Sequence, residues 1–282
     1  MKLIKIIILA IITASCVQHR SPDPEQGSVL SADQTEISYT IYGDGETALV
    51  FVHGWCCDQG YWREQVDTFS QDYTIVTIDL AGHGKSGTGR DDYTLQAFGL
   101  DVASVVKHLE LNRIILIGHS MGGGVILSAA RQLKEQTLAV IGVDTYQGFQ
   151  YELSDSMIAQ FVQPFRQDFY HTTIGFVHGM FPPGADSGLV IEIAEDMAEG
   201  PAEAGISAMV NNISTDPVEL LDGLDIPIYS ITSRMFPIDV QANREHYPDF
   251  EVRFIEGVGH FIQLEDPQSF NSMLTGILKE IK

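Results

Sequence analysis

The segment of this 282-residue chain best suited to covalent chemistry is Gly118-His119-Ser120-Met121-Gly122. A serine hydroxyl, with a pKa far above seven, is a poor nucleophile until a base takes its proton. The pattern Gly-x-Ser-x-Gly suits a nucleophile where a strand turns sharply into a helix. The turn projects the hydroxyl and leaves no room for side chains at Gly118 and Gly122. A helix that opens at the same point aims its first amides at the site and favours negative charge developing there. Short glycine-rich patterns also occur by chance, so the elements on either side decide whether the geometry is available.

Those elements are the right ones. Arg113 to Ile117 is an apolar strand candidate, and a helical stretch runs from Val125 to Leu133. Further strand candidates cover Ala48 to Val52 and Val140 to Val143, which are unbroken, and Thr74 to Ile78, Ile228 to Ile231 and Val252 to Ile255, which are largely apolar. Unbroken apolar runs of this length fit strands buried on both faces. Helical stretches over Leu95 to Leu109 and Phe270 to Ile281 lie between or after them. Such alternation predicts an α/β fold, a mostly parallel sheet with helices on both faces. Ligand sites in such sheets lie past the carboxyl ends of the strands. His53-Gly54, Asp79 to Ser86, Gly118 to Gly124, Asp144 and Gly257 to His260 all stand there. Ile37 to Tyr42 alternates and is followed by Gly43-Asp44-Gly45, which reads as a hairpin turn. From Tyr146 to Leu221 no buried strand is apparent, and roughly 75 residues is too long for a plain loop. The interval 145–222 is expected to be an inserted helical cap over the strand ends, dividing a core of 35–144 and 223–282.

Composition narrows the function. Acidic residues number 38 against 16 basic, a net charge of −22, and such a surface repels phosphate backbones. Nucleic acid is therefore not expected as a partner. Three cysteines, none in a CxxC pair, are too few for a disulfide scaffold. At the amino end, Lys2 and Lys5 precede the aliphatic run Ile6 to Ile12 and the small residues before Cys16. A basic start, a short apolar run and a small-residue cleavage point make a secretory signal over 1–16. The run falls short of the about 20 residues a membrane-spanning helix needs. The placement of Cys16 resembles a bacterial lipoprotein signal, although Thr13 stands where leucine is usual. Lipidation of Cys16 in the cell envelope is the first expectation, with ordinary periplasmic or secreted export as the alternative. Residues 17–34 then read as a tether, with Pro22 and Pro24 near its start.

Four motifs in order, His53-Gly54-Trp55, Asp79-Leu80-Ala81-Gly82-His83-Gly84-Lys85-Ser86, Gly118-His119-Ser120-Met121-Gly122-Gly123 and Gly257-Val258-Gly259-His260, resemble the α/β-hydrolase superfamily across about residues 35–282. The resemblance implies the order serine, acid, histidine, with Ser120 as nucleophile and His260 as base. His119, next to the serine, is expected to pack rather than react. His53 and His83 are expected to shape loops. The acid departs from the family's pattern, since Ser233-Arg234-Met235-Phe236 occupies the usual loop after the penultimate strand. Two carboxylates remain: Asp144, which ends the strand after the elbow and is preferred, and Asp239, which otherwise reads as a helix-start residue. The same template assigns the oxyanion hole to the backbone N–H groups of Trp55 and Met121.

Adjacent Cys56 and Cys57 read as packed thiols lining the loop, with a redox-sensitive pair as the alternative. The cap segment is dense in Phe149, Tyr151, Phe161, Phe165, Phe169, Phe176, Phe181, Met157 and Met180. Most should be core, and those facing a cavity would favour an apolar substrate. The resemblance thus implies hydrolysis of a carboxylic ester of a small or medium apolar acyl group, without cofactor or metal. Lactone, thioester or carbon–carbon bond hydrolysis and perhydrolysis are alternatives on the same residues. A non-catalytic ligand-binding protein on the same fold is the alternative of another class. Serine at the elbow argues against dehalogenase and epoxide hydrolase chemistry, which in this superfamily uses aspartate there.

Overall fold

The structure is a computed structural model describing residues 23–149 and 153–281. The expected signal over 1–16, Cys16 and Tyr151 lie outside the described residues. Eight strands form one sheet: β1 (Glu25–Leu30), β2 (Glu36–Tyr42), β3 (Ala48–Val52), β4 (Thr74–Ile78), β5 (Ile114–His119), β6 (Thr137–Val143), β7 (Ile228–Ser233) and β8 (Phe250–Ile255). Their order across the sheet is β1-β2-β4-β3-β5-β6-β7-β8. Strands β3 to β8 run parallel, while β1 and β2 are antiparallel additions at one edge.

The helices are α1 (Arg63–Phe69), α2 (Leu95–His108), α3 (Met121–Gln132), α4 (Asp155–Gln167), α5 (Phe169–His178), α6 (Ser187–Glu199), α7 (Ala202–Ser214), α8 (Pro217–Leu221), α9 (Val240–His246), α10 (Ile262–Glu265) and α11 (Pro267–Glu280). The unbroken apolar strands supply both cores because successive side chains point to opposite faces. On β3, Val50 and Val52 join Val102 and Val106 of α2 and Val125 of α3 in one core. Leu49 and Phe51 join Val66 of α1 and Phe270, Leu274 and Ile277 of α11 in the other. Helix starts use some of the chain's excess acid: Asp168, Asp186, Asp216, Asp239 and Asp266 each accept a first-turn amide.

Two expectations need correction. The tether expected over 17–34 contains β1, which pairs with β2 from Glu25↔Ile41 to Leu30↔Glu36. Its residues are mostly exposed, so an edge strand here carries no apolar run to announce it. Gly43-Asp44-Gly45 is not a hairpin turn, because β2 pairs with β1 and β4 and never with β3. It carries the chain past β4 into the centre of the sheet.

Between β6 and β7 the chain runs through five helices, α4 to α8, as the missing strand signal leads one to expect. Helix α4 packs on α5 and α7, α7 reaches α2, and α8 rests on α3. The indole N–H of Trp55 donates to the carbonyl of Gly205 in α7 at 2.6 Å. Around the same ring, Phe165, Phe169 and Phe176 make edge contacts at 5.6 to 6.0 Å. Most of the segment's aromatic residues are therefore packing. Met157, by contrast, is 51 % exposed. Among the described residues no helix is long and apolar enough to cross a membrane.

Candidate active site

Ser120 sits between the end of β5 and the start of α3 with φ 54° and ψ −119°. A non-glycine residue is strained there and persists only where its surroundings hold it. Six described non-glycine residues have positive φ, and four of them, Cys56, Ser120, Asp144 and Tyr146, follow the carboxyl ends of β3, β5 and β6. The strain thus gathers at the sheet edge where a ligand site is expected. The elbow leaves no space for larger residues. A Cβ on Gly118 would strike the carbonyl of Gly122, and one on Gly122 would come within 2.6 Å of the His53 and Val52 carbonyls. The chain after β3 lies directly alongside: a Cβ on Gly54 would be 3.2 Å from Cβ of Ser120. The peptide joining Gly54 to Trp55 therefore borders the serine. Met121 opens α3, whose first amides have no partner within the helix.

His260 follows β8, and Asp144 follows β6. The Nδ1–H of His260 donates to Oδ2 of Asp144 at 2.6 Å. The other oxygen, Oδ1, accepts from the Ser233 amide at 2.7 Å and the Thr232 hydroxyl at 2.8 Å. Both donors end β7, the strand after which an acid was sought. That strand end presents donors to the carboxylate of its neighbour instead. Burial pushes the Asp144 carboxyl up, but the hydrogen bond and charge of His260, with the Ser233 and Thr232 donors, outweigh it and hold it below its usual range. Asp144 is thus an anion beside the imidazole. Asp239 is elsewhere: it is exposed and accepts from the Ala242 amide at 2.9 Å as the cap of α9.

The remaining histidines do other work. His119 is buried and donates through Nε2 to the carbonyl of His260 at 2.9 Å. Burial and the nearby His260 push it down to about 3, so it stays neutral. His53 donates through Nδ1 to its neighbour Gly54's carbonyl at 2.7 Å and accepts through Nε2 from the Leu80 amide at 3.0 Å. It ties the β3 loop to the β4 loop. His83 bonds the Ala81 carbonyl through Nδ1. Asp79 accepts from Gln59 and Lys85 and so closes the loop after β4. Cys56 and Cys57 are free and buried, and burial raises both thiols well above their usual range. Neither is an activated nucleophile.

Motif reading missed Glu265, at the end of α10. Its carboxylate accepts from the Gly259 amide at 2.9 Å and the Phe261 amide at 3.0 Å, the two residues flanking His260. Burial raises this carboxyl, the two amides lower it, and the charge of Asp144 raises it again. A glutamate five residues past a glycine-rich histidine turn is the available signal, because one helical turn brings it back over the loop.

Two cavities meet at these residues. The larger, about 490 Å³, is lined by Ser120, His260, Leu95, Phe149, Leu153 and Leu220 among others. The smaller, about 100 Å³, is lined by Ser120, His260, Trp55, Phe161, Phe176 and Met180 among others. Their walls are largely apolar. Among the described residues no group of three or more His, Cys, Asp or Glu is arranged to hold a metal ion.

Known proteins resemble this chain over most of its length. The chain is 26 % identical over 258 residues to a 3-oxoadipate enol-lactonase 2 from Acinetobacter baylyi, covering 89 % of this chain and 96 % of that one. It is 26 % identical over 219 residues to a bifunctional esterase/perhydrolase from Acinetobacter calcoaceticus, covering 72 % and 79 %. Its fold superimposes on a thermophilic esterase from Thermogutta terrifontis with a TM-score of 0.80, 20 % identity and coverage of 91 % and 99 %. The family model described as "Alpha/beta hydrolase family" matches residues 49–272, most of the chain, and the protein belongs to that family.

Proposed function

We propose that this protein is a serine hydrolase that cleaves a carboxylic ester of a small or medium apolar acyl group through an acyl-enzyme. The observation that carries the reading is the 2.6 Å contact from His260 Nδ1 to the Asp144 carboxylate, with His260 and the strained Ser120 lining the same two cavities. With Nδ1–H engaged, Nε2 of neutral His260 keeps its lone pair for the serine proton. Ser120 Oγ attacks the ester carbonyl while His260 takes its proton. The carbonyl oxygen gains negative charge, which the amides of Trp55 and Met121 receive at the amino end of α3. Asp144 offsets the charge of the imidazolium. His260 then protonates the departing alkoxide, leaving the acyl group on Ser120. Water, deprotonated by His260, attacks the acyl-enzyme, and collapse of the second tetrahedral intermediate frees the acid and restores Ser120.

The apolar cavity walls support an apolar acyl group, and a volume of about 490 Å³ suits a small or medium substrate. Ser120→Ala tests the reading. It should remove turnover of a short-chain chromogenic ester and labelling by a fluorophosphonate, with the fold unchanged. Undiminished turnover in that variant overturns the assignment. Turnover or labelling by the wild type also separates an enzyme from a ligand-binding protein on this fold. Lactone hydrolysis is the second reading, favoured by the enol-lactonase relative that aligns over 89 % of the chain. The same attack opens the ring and leaves the alkoxide tethered to the acyl group. We further propose that the signal-like segment 1–16 exports the protein to the cell envelope, with Cys16 as its lipid anchor.

A further inference from the structure

We propose that Asn212 is a specificity-determining residue, and that the substrate carries a hydroxyl or carbonyl oxygen within about three bonds of the scissile ester group. This deepens the ester-hydrolase reading and rests on it.

Three observations meet at this side chain. First, Asn212 is the one polar residue besides Ser120 and His260 that lines both cavities among the described residues. The ester group must lie where Ser120 and His260 are accessible together, so Asn212 borders the reacting group rather than a distant end of the substrate. Second, it continues the inward stripe of α7. Gly205, Ala208 and Met209 are buried on that face, and helical spacing of three, four and seven residues brings Asn212 onto it. Every other member of the stripe is small or apolar. Third, its carboxamide has no hydrogen-bond partner among the described residues. The adjacent Asn211 contrasts with it, because Asn211 donates to Asp92 at 2.7 Å and to the Ser207 carbonyl at 2.9 Å. One asparagine holds the helix in place and the other is left to face the cavity.

The physical consequence is selectivity. In the free protein the partly exposed Asn212 carboxamide is open to solvent water. A plain alkyl ester filling the cavity displaces that water and leaves both an N–H donor and a carbonyl acceptor unpaired among Ile213, Met121, Met180 and Phe176. An ester with a nearby hydroxyl or carbonyl oxygen replaces the water. A site with such a group discriminates against analogues that lack the oxygen. The rest of the substrate remains apolar, as the walls require.

The test compares kcat/KM for two matched pairs in wild type, Asn212→Leu and Asn212→Ala. Methyl 3-hydroxybutyrate against methyl butyrate places the oxygen on the acyl side. A 2-hydroxyethyl butyrate against propyl butyrate places it on the alcohol side. Comparing ratios between proteins cancels the intrinsic reactivity of each ester. The oxygenated-to-plain ratio should fall about tenfold in both variants for at least one pair, and that pair identifies the side. Ratios unchanged in both pairs, or equal losses on both members of each pair, overturn the proposal. So does a wild type that reacts with a fluorophosphonate but hydrolyses neither hydroxy ester. A wild type that neither reacts with the fluorophosphonate nor hydrolyses any of the four overturns the hydrolase reading itself.

Discussion

Replacing Asp144 by Asn changes one atom of the site and should disable it. The Asp144 carboxylate has three partners: the Ser233 amide at 2.7 Å, the Thr232 hydroxyl at 2.8 Å and His260 Nδ1 at 2.6 Å. The Ser233 amide can only donate, so the side-chain oxygen of an asparagine must stay at the Oδ1 position. Its NH2 group then faces Nδ1 of His260. That nitrogen must become an acceptor, which moves the ring proton to Nε2, the atom that has to receive the proton of Ser120. The packing is kept and the tautomer is reversed. The corresponding change in the serine-protease template lowers kcat about 10⁴-fold, which is about 5.4 kcal/mol in the barrier at 1.36 kcal/mol per decade. Initial rates on a chromogenic butyrate ester measure the loss. Asp239→Asn is the control, because this exposed cap contributes to stability on the order of 1 kcal/mol and asparagine caps nearly as well. A loss under tenfold in Asp144→Asn, or an equal loss in Asp239→Asn, refutes the reasoning. The same variant also tests the electrostatics. Since folding lowers the Asp144 pKa below its ordinary 3.8, the native state favours the ionised form. Its stabilisation is complete above the unfolded value and fades as pH falls through the folded one. The stability gap between wild type and Asp144→Asn in urea melts should therefore narrow below about pH 4. A gap that widens there contradicts the assigned direction.

Glu265→Ala should lower kcat more than it raises KM, because the Gly259 and Phe261 amides beside His260 lose their acceptor. Glu265→Gln should recover much of the rate, since one oxygen can receive both amides. Equal rates for the alanine and glutamine variants would show that the clamp does not act on His260. If Cys16 carries lipid, the full-length protein should partition into a detergent phase and Cys16→Ser should move it to the aqueous phase, whereas a wild type already aqueous after export indicates ordinary secretion.

How far the site is legible in the sequence depends on the range of the interaction that makes it. The serine turn is local: a strand, five residues and a helix. Its glycines meet backbone within a few residues or on the adjacent strand. Of the loop histidines, His83 is nearly as local, bonding Ala81, while His53 bonds both its neighbour Gly54 and the distant Leu80. The carboxylate beside His260 is not local, because 116 residues separate the two. Sequence favours Asp144 and keeps Asp239 as the alternative. Their separation follows from sheet order, in which β6 lies beside β7 and β7 beside β8, so that the ends of three strands converge. Asp239 lies beyond that edge on α9. Thr232 and Ser233 are unremarkable as sequence, and only the register of β6 against β7 makes them donors to Asp144.

Burial pattern is the part of this protein that the chain writes along itself. Unbroken apolar runs such as Ala48–Val52 and Ile114 to Ile117 specify strands covered on both faces, and both faces are indeed filled. The turn at Ser120 is written there in part, since Gly118 is demanded by sterics within a few residues, whereas Gly122 answers to the Val52 and His53 carbonyls at the end of β3. Pairing is written nowhere locally. That β1 joins the sheet through mostly exposed residues, and that β2 pairs with β4 rather than with β3, were decided by which edges remained for backbone hydrogen bonds. Likewise, the helical interval between β6 and β7 follows from the missing strand signal, but the packing of α7 makes Asn212 line the same two cavities as Ser120 and His260. Local periodicity determines which side chains must leave water. Long-range packing then determines which polar groups meet where they do.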